Sequence, residues 1–288
     1  MKQVKIKKRK LDIVVLSDLH LGTRGCHATE LLEYLRGIHP KILVLNGDIV
    51  DIWQFSKRYW PNSHMKVVKF IIGMAAKNTK TYYITGNHDE MLRKFVGLKM
   101  GNLQIVNKLE LDIGGKRAWF FHGDVFDVII QHSKWLARLG AIGYDSLIFL
   151  NIIINRISAL FGRGKVSLSK TIKENVKTAV NYINDFEETA ANLAIRKGFS
   201  YIVCGHIHHP AIRTISTPLG EIGYLNSGDW IENLTALEYK DNHWSLYQFR
   251  PDPSIAGKAP DPKEEPAMTD MNNKQVFRIL LEEFYAER

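Results

Sequence analysis

The sequence predicts an α/β fold in which two β-sheets are flanked by helices. Short apolar runs of strand length alternate with segments of helical periodicity in the first part of the chain, and a second group of strand-like runs follows further along. The chain has 288 residues and 45% hydrophobic content. That is enough to bury a sizeable core and form one large domain with an insertion.

The first three strands are predicted at Leu11–Ser17, Lys41–Asn46 and Thr81–Thr85, with helical stretches between them. This order predicts a β-α-β-α-β unit with parallel strands. In such units ligands cluster at the carboxyl ends of the strands. The polar residues that directly follow each run are therefore candidates for a site.

A second group of strand-like runs follows, and together with the first group it predicts two sheets flanked by helices. Its members are Leu109–Ile113, Arg117–His122, Tyr201–Cys204, Ile212–Thr217, Ile222–Asn226, Leu234–Tyr239 and Trp244–Phe249.

Five short polar motifs follow apolar runs in a fixed order. They are Asp18-Leu19-His20, Gly47-Asp48, Gly86-Asn87-His88-Asp89, His122-Gly123-Asp124 and Gly205-His206-Ile207-His208. Any one of these residues alone would ordinarily be a turn or capping group. Together they offer the oxygen and imidazole ligands that suit Mn²⁺, Zn²⁺ or Fe²⁺. Two such cations about 3.5–4 Å apart can bind a phosphate, and Asp48 is the expected bridging ligand.

With these motifs the chain resembles the calcineurin-like metallophosphoesterase superfamily, whose pattern is D-x-H, G-D, G-N-H-D, H and G-H-x-H. The resemblance runs from about residue 11 to about residue 249. It implies a two-sheet αββα metallophosphoesterase sandwich with two divalent metal ions. The implied ligands of one metal are Asp18, His20, Asp48 and His208, and those of the other are Asp48, Asn87, His122 and His206.

The resemblance also implies two catalytic residues. His88 is expected beside the scissile phosphate, and Asp89 is expected to orient the imidazole of His88.

An insertion is predicted at about residues 125–198, where helical spacing prevails. Its apolar stretch Tyr144–Phe161 is too short and too polar for a transmembrane span, which needs about 20 apolar residues. Two interpretations stay open. The stretch is either a helix packed inside a helical cap or a lid helix that contacts acyl chains or a membrane interface. Basic residues on both sides of it suit a substrate with fatty chains and phosphates.

The helical lid insertion and the opening and closing motifs resemble the UDP-2,3-diacylglucosamine pyrophosphohydrolases of lipid A biosynthesis. That family is implied to be a Mn²⁺-dependent hydrolase that cleaves UDP-2,3-diacylglucosamine into UMP and 2,3-diacylglucosamine 1-phosphate at the cytoplasmic membrane face. The well-known members have Arg where this chain has His88. The motif therefore matches the general superfamily better than this subgroup.

Net charge and cysteine content indicate partners and compartment. The formal net charge of +9 favours an anionic partner, namely a phosphorylated lipid-nucleotide substrate or an anionic membrane surface, with nucleic acid as a weaker alternative. The two cysteines, Cys26 and Cys204, form no CxxC pair, which is simplest to explain by a reducing compartment. The apolar stretch Leu11–Leu16 is interrupted by Asp12 and is too short for the core of a signal peptide. We expect a cytoplasmic protein, peripheral on the inner face of a bacterial inner membrane.

After residue 250 the composition changes. Residues 251–288 are predicted to form a Pro-rich linker and a C-terminal amphipathic helix at Asn272–Glu287, beyond a metallophosphoesterase domain at 1–250. The sequence leaves open whether this helix docks on its own domain, on a second subunit or on a membrane, and it leaves the oligomeric state open.

Two other function classes compete with the pyrophosphohydrolase. A nuclease or nucleotide phosphodiesterase of the same superfamily predicts a basic groove and binding that weakens with salt. A non-catalytic scaffold predicts lost ligands, and every ligand position of the pattern is filled in this sequence.

Overall fold

A computed structural model of the chain describes residues 8–53, 59–126, 183–184 and 186–250. The apolar stretch Tyr144–Phe161 and the predicted C-terminal linker and helix lie outside the described residues. Within the described part the strands are β1 (Arg9–Leu16), β2 (Ile38–Asn46), β3 (Lys80–Ile84), β4 (Lys99–Met100), β5 (Leu103–Val106), β6 (Leu109–Ile113), β7 (Lys116–Phe120), β8 (Tyr201–Cys204), β9 (Ala211–Thr217), β10 (Gly220–Asn226), β11 (Thr235–Lys240) and β12 (His243–Gln248).

The strands form two sheets, which confirms the predicted α/β fold. The first has seven strands in the order β12-β11-β1-β2-β3-β5-β4, and the second has five in the order β6-β7-β8-β10-β9. The central strands β1, β2 and β3 are parallel, and so are β7, β8 and β10. The carboxyl ends of each parallel set therefore meet at one edge of their sheet.

Helices cover the outer face of the first sheet. They are α1 (Ala28–Arg36) and α2 (Asn62–Ala76). In α1 the apolar residues recur at Leu31, Leu32 and Leu35, so one face is buried. These side chains pack with Leu43 and Leu45 of β2 in a single cluster. Burial of such aliphatic side chains stabilises the layer by about 1.5–3 kcal/mol each.

Two further apolar layers complete an αββα sandwich. Side chains such as Val15, Val44 and Phe120 pack between the two sheets. Residues 186–196 are helical, and Phe186 and Ala190 pack on the outer face of the second sheet. This helix falls within the predicted insertion at 125–198, so the last part of that segment serves as the outer layer of the sandwich.

One corner of the first sheet was not predicted from the sequence. A 3₁₀ helix at Glu90–Phe95 follows the third motif and leads into the short strands β4 and β5. Strand β4 has only two residues, and both are exposed. Neither length nor apolar alternation identified it.

None of the helices in the described ranges has the length and apolar content needed to span a membrane.

Candidate metal centre

The polar motifs converge where the two sets of parallel strands end. Asp18 lies just beyond β1, Asp48 beyond β2, Asn87 beyond β3, His122 beyond β7 and His206 beyond β8. Backbone and side-chain hydrogen bonds join these ends. The amide of Asp18 donates to the carbonyl of Gly47 (3.1 Å), and the amide of Gly205 donates to the carbonyl of His122 (3.0 Å).

Three groups of side chains place possible ligand atoms within 4.8 Å of one another. They are Asp18, His20 and His208; Asp48, His122 and His206; and His20, Asp51 and His88. The first two groups each contain three of the four ligands predicted for one half of a dinuclear site. Asn87 lies in the same loop as His88, and its Oδ1 atom is buried.

The two aspartates divide their oxygens in the same way. Oδ2 of Asp18 accepts a hydrogen bond from the amide of His206 (3.0 Å), and Oδ1 of Asp48 accepts one from the amide of His88 (2.8 Å). The other oxygen of each faces an imidazole. Oδ1 of Asp18 is 3.2 Å from Nε2 of His208. Each carboxylate is therefore oriented by a backbone amide and directed toward a second ligand.

The ring of His122 has a defined tautomer. Its Nδ1 lies 2.8 Å from the carbonyl oxygen of Asn46, which can only accept a hydrogen bond. In the neutral ring Nδ1 therefore carries the proton, and Nε2 offers a lone pair toward Oδ2 of Asp48 at 3.1 Å. A proton or a metal ion between these two atoms satisfies both, and in the metal-free protein burial lowers the pKa of His122 but Asp48 outweighs this and raises it well above its ordinary value. This arrangement suits a metal ion.

Four buried atoms of the predicted ligands have no hydrogen-bond partner among the described residues. They are Asp18 Oδ1, His20 Nε2, Asn87 Oδ1 and His122 Nε2. Two of them lie close to an ionisable group without hydrogen-bond geometry: Asp18 Oδ1 is 3.2 Å from Nε2 of His208, and His122 Nε2 is 3.1 Å from Oδ2 of Asp48. Buried polar atoms are normally hydrogen-bonded, and each unsatisfied one costs about 1–3 kcal/mol. Metal coordination would satisfy all four at once, so the residues present fit a metal centre.

The backbone at the site is strained. Among the predicted ligands, the residues Asp18, His20, Asp48, His206 and His208 have φ between 47° and 68°. Positive φ is uncommon outside glycine, and such conformations cluster at functional sites.

Glycines of the motifs make room for the ligands. A Cβ atom on Gly86 would collide with the carboxylate and backbone of Asp48, and one on Gly205 would collide with the carboxylate of Asp18. Only glycine at these two positions therefore leaves room for the ligand carboxylate that packs against the backbone there.

The charges favour metal binding. Burial raises the pKa of Asp18 and Asp48, but the neighbouring histidines outweigh this effect. His208 and His122 lower the pKa of Asp18 to about 2. His122, His20 and His88 hold the pKa of Asp48 well below its ordinary value. Both carboxylates are therefore ionised at neutral pH.

The structure corrects the role predicted for Asp89. Its buried carboxylate accepts hydrogen bonds from the amides of Gly86 (2.6 Å) and Ile49 (3.0 Å) and from the hydroxyl of Tyr83 (2.6 Å). These contacts occupy Asp89 within its own loop. The residue beside His88 is instead Asp51.

Asp51 is a site residue that the sequence motifs did not predict. Its Oδ2 atom lies 2.8 Å from Nδ1 of His88 and 3.1 Å from Nδ1 of His20. One buried carboxylate therefore orients both a predicted ligand and the predicted catalytic histidine. Burial lowers the pKa of His88, but Asp51 and Asp48 outweigh it and raise that pKa. The sequence feature that points to Asp51 is its position, since it is an acidic residue only three positions after the predicted ligand Asp48.

Asp229 has a comparable position on the other side. It lies at the start of a turn, where Oδ1 of Asp229 accepts hydrogen bonds from the amides of Ile231 (2.8 Å) and Glu232 (2.6 Å). Its Oδ2 is also 3.8 Å from Nδ1 of His208. Asp229 thus closes the turn and places a negative charge behind His208.

Comparison with known proteins identifies a family and several relatives. The family model of the calcineurin-like phosphoesterases matches residues 11–210. The UDP-2,3-diacylglucosamine hydrolase of Aliivibrio fischeri (strain MJ11) is 25% identical over 245 residues, which cover 83% of this chain and 98% of that protein. The enzyme of that name from Aeromonas salmonicida (strain A449) is 23% identical, covering 79% and 89%. The solved phosphoesterase Yfce of E. coli has a TM-score of 0.41 and 13% identity, covering 83% of this chain and 99% of its own.

The chain therefore belongs to the calcineurin-like phosphoesterase family. It is a metal-dependent hydrolase. The relatives named above act, by their names, on UDP-2,3-diacylglucosamine.

Proposed function

We propose that this protein hydrolyses the pyrophosphate bond of UDP-2,3-diacylglucosamine, giving UMP and 2,3-diacylglucosamine 1-phosphate. We further propose that it acts in lipid A biosynthesis on the cytoplasmic face of the inner membrane. The observation that carries the hydrolase chemistry is the set of four unsatisfied ligand atoms at one edge of the sandwich. The names and 23–25% identities of the relatives support the substrate.

In this proposal Asp18, His20, Asp48 and His208 hold one divalent ion, and Asp48, Asn87, His122 and His206 hold the other. Mn²⁺ is the proposed metal, with Zn²⁺ and Fe²⁺ as alternatives. Two such ions, when bound, supply Lewis-acid activation of the phosphoryl group and of the attacking water.

The protein groups around the site have their own roles. Asp51 holds the ring of His88 through Nδ1, which leaves Nε2 to bind a phosphate oxygen. The raised pKa of His88 favours its cationic form, which stabilises negative charge on the transition state. Trp53 lies with its ring centroid 4.4 Å from that of His88 and is 51% exposed. Its indole offers a surface on which a nucleobase can stack.

The alternative of a nuclease receives less support from the charges. Five cations, Lys8, Arg36, Lys66, Lys69 and Lys77, line a cleft of about 370 Å³. That cleft lies between α1 and α2 and includes Ile38 and His39 at the start of β2. The ligands follow the opposite ends of the strands, so this basic cleft does not adjoin them.

A substrate panel tests the proposal. Purified protein with Mn²⁺ is given UDP-2,3-diacylglucosamine, unacylated UDP-sugar, cyclic nucleotides, single-stranded DNA and a chromogenic phosphodiester. We expect the highest kcat/KM on the diacylated substrate. A preference for DNA or for the unacylated sugar would refute the substrate assignment.

A matched pair of variants ties that activity to the site. Asp48→Ala should abolish both activity and the binding of two metal ions while the protein stays folded. Asp12→Ala removes a carboxylate that pairs with Lys41 on the surface, and it should leave both unchanged. Two ions still bound in Asp48→Ala would contradict the bridging role of Asp48.

A further inference from the structure

Exposed apolar side chains concentrate in one short segment whose first turn lies beside the metal centre. Among the described residues, twelve large apolar side chains are well exposed, and five of them fall within residues 91–100. They are Met91 (53% exposed), Phe95 (50%), Val96 (40%), Leu98 (43%) and Met100 (52%). Scattered exposed apolar residues are ordinary, but a contiguous patch marks an interaction site. We call residues 91–100 the edge segment.

The backbone of the edge segment is held in place. It comprises most of the 3₁₀ helix, a turn and β4 at the edge of the first sheet. The amide of Gly97 donates to the carbonyl of Ile105 (2.9 Å), and the amide of Ile105 donates to the carbonyl of Leu98 (3.0 Å). The apolar side chains are therefore presented to solvent by an ordered backbone.

The edge segment is tied to the metal centre at its first turn. The guanidinium of Arg93 donates to the carbonyl of Gly86 (3.4 Å), which immediately precedes the ligand Asn87. Arg93 also pairs with Asp124, two residues beyond His122. A partner bound at this end of the edge segment would thus lie next to the site.

Basic residues accompany the apolar ones. Lys94 and Lys99 are exposed on the segment itself. Lys99 and Lys80 line a shallow cleft of about 270 Å³ together with Asn102 and Gln104. Apolar side chains next to lysines fit a bilayer interface, where acyl chains meet anionic phosphates.

We propose that the edge segment docks the protein on an anionic phospholipid bilayer, with its apolar side chains in the interface and Lys80, Lys94 and Lys99 against the headgroup phosphates. The proposal rests on the proposed function, because a hydrolase of a lipid-linked nucleotide has to meet its substrate at a membrane. It adds the surface through which the membrane is reached, and one end of that surface, at Arg93, lies beside the metal centre.

Sedimentation with sucrose-loaded vesicles tests the docking. The purified full-length protein is mixed with vesicles of phosphatidylcholine alone or of phosphatidylcholine with phosphatidylglycerol, and the partition coefficient is measured. We expect binding to the mixed vesicles that weakens with added salt. Lack of binding to either vesicle would overturn the proposal and favour a protein partner for this surface.

Two double variants distinguish a specific role of the edge segment in vesicle binding from a general effect of exposed apolar side chains. Phe95→Ser with Leu98→Ser should lower partition at least about tenfold, because two interfacial side chains are lost. Ile212→Ser with Leu219→Ser removes apolar residues of similar exposure at the edge of the second sheet, and it should leave partition unchanged. Lys94→Glu should lower partition about fivefold or more on the anionic vesicles only. Equal partition of the two double variants would refute the assignment.

Activity on the same preparations distinguishes the two proposals. The chromogenic diester reports an intact metal centre, and UDP-2,3-diacylglucosamine in detergent micelles reports the proposed reaction without a bilayer. If wild-type protein does not bind vesicles but is fully active on the diacylated substrate in micelles, the docking proposal alone is overturned. Vesicle binding without activity on the diacylated substrate would overturn the proposed function alone.

Discussion

Oδ2 of Asp51 lies 2.8 Å from Nδ1 of His88, and the same oxygen lies 3.1 Å from Nδ1 of His20. Asp51 is not part of the family's sequence pattern, yet it connects the predicted catalytic residue His88 to the predicted metal ligand His20. The connection is buried, since Asp51 is only 1% exposed. Its removal should therefore affect both metal binding and turnover.

Asp51→Asn keeps the size of this side chain but removes its charge. We expect a loss of about 10–100-fold in metal affinity or kcat, which is typical when the partner of a ligating histidine is altered. The pH profile of kcat should also change, because Asp51 raises the pKa of His88. Metal titration and the pH–rate profile check this. Unchanged affinity and profile would show that the contact has no functional role.

Gly86→Ala should damage the metal centre through sterics alone. The added methyl group would meet the carboxylate of Asp48, so either that side chain or the loop has to move. We expect metal affinity to fall at least about tenfold with a small change in secondary structure. Metal analysis after dialysis and circular dichroism are the measurements.

Gly73→Ala is the control for that variant. Gly73 lies within α2, and an added Cβ would meet no atom within 4 Å. Its replacement should raise the free energy of unfolding by about 0.5–1 kcal/mol and leave metal content unchanged. Equal metal loss in both variants would argue against the steric explanation.

The identity of residue 88 should matter more for some substrates than for others. Cleavage of a pyrophosphate expels a phosphate monoester, whose second pKa is about 6, so little protonation of the leaving group is needed at neutral pH. An alkoxide leaving group needs a proton, and general-acid assistance contributes about 10²–10⁴-fold. Arginine supplies a fixed charge but no proton.

His88→Arg should therefore retain much of its activity on UDP-2,3-diacylglucosamine and lose most of its activity on alkyl phosphodiesters. The measurement is the ratio of the two kcat/KM values on one purified preparation. Asp51 is already positioned to pair with the guanidinium. A uniform collapse on both substrates would favour the phosphodiesterase alternative.

Metal binding should release protons at neutral pH. Burial lowers the pKa of His208, but the charges of Asp18, 3.2 Å away, and Asp229 outweigh this and raise it to about 9. In the metal-free protein His208 is therefore protonated below that pH, and it has to lose the proton to coordinate a metal. Affinity for Mn²⁺ should rise as the pH increases toward about 9 and then level off.

Calorimetric titration in buffers of different ionisation enthalpy measures this release. We expect the observed binding enthalpy to depend on the ionisation enthalpy of the buffer, because the buffer takes up the protons that the protein releases. A pH-independent affinity between neutral pH and about 9 would place His208 outside the ligand set.

The main sheets and the convergence of the motifs could be predicted from the sequence, for a physical reason. Within the predicted strand Lys41–Asn46, the residues from Leu43 onward are buried on both faces, and parallel strands bring their following residues together. The direction of a side chain within a loop has no such periodic signal. Whether Asp51 or Asp89 faces His88 depends on backbone torsions that neither composition nor spacing encodes.

The strained conformation of five predicted ligands has an evolutionary consequence. Glycine adopts positive φ without steric cost, so replacing a residue such as His208 by glycine would relax the backbone while removing a ligand. Mutational drift under selection for folding alone would therefore tend to erase the site. The five non-glycine residues thus supply ligand atoms at the expense of some backbone stability.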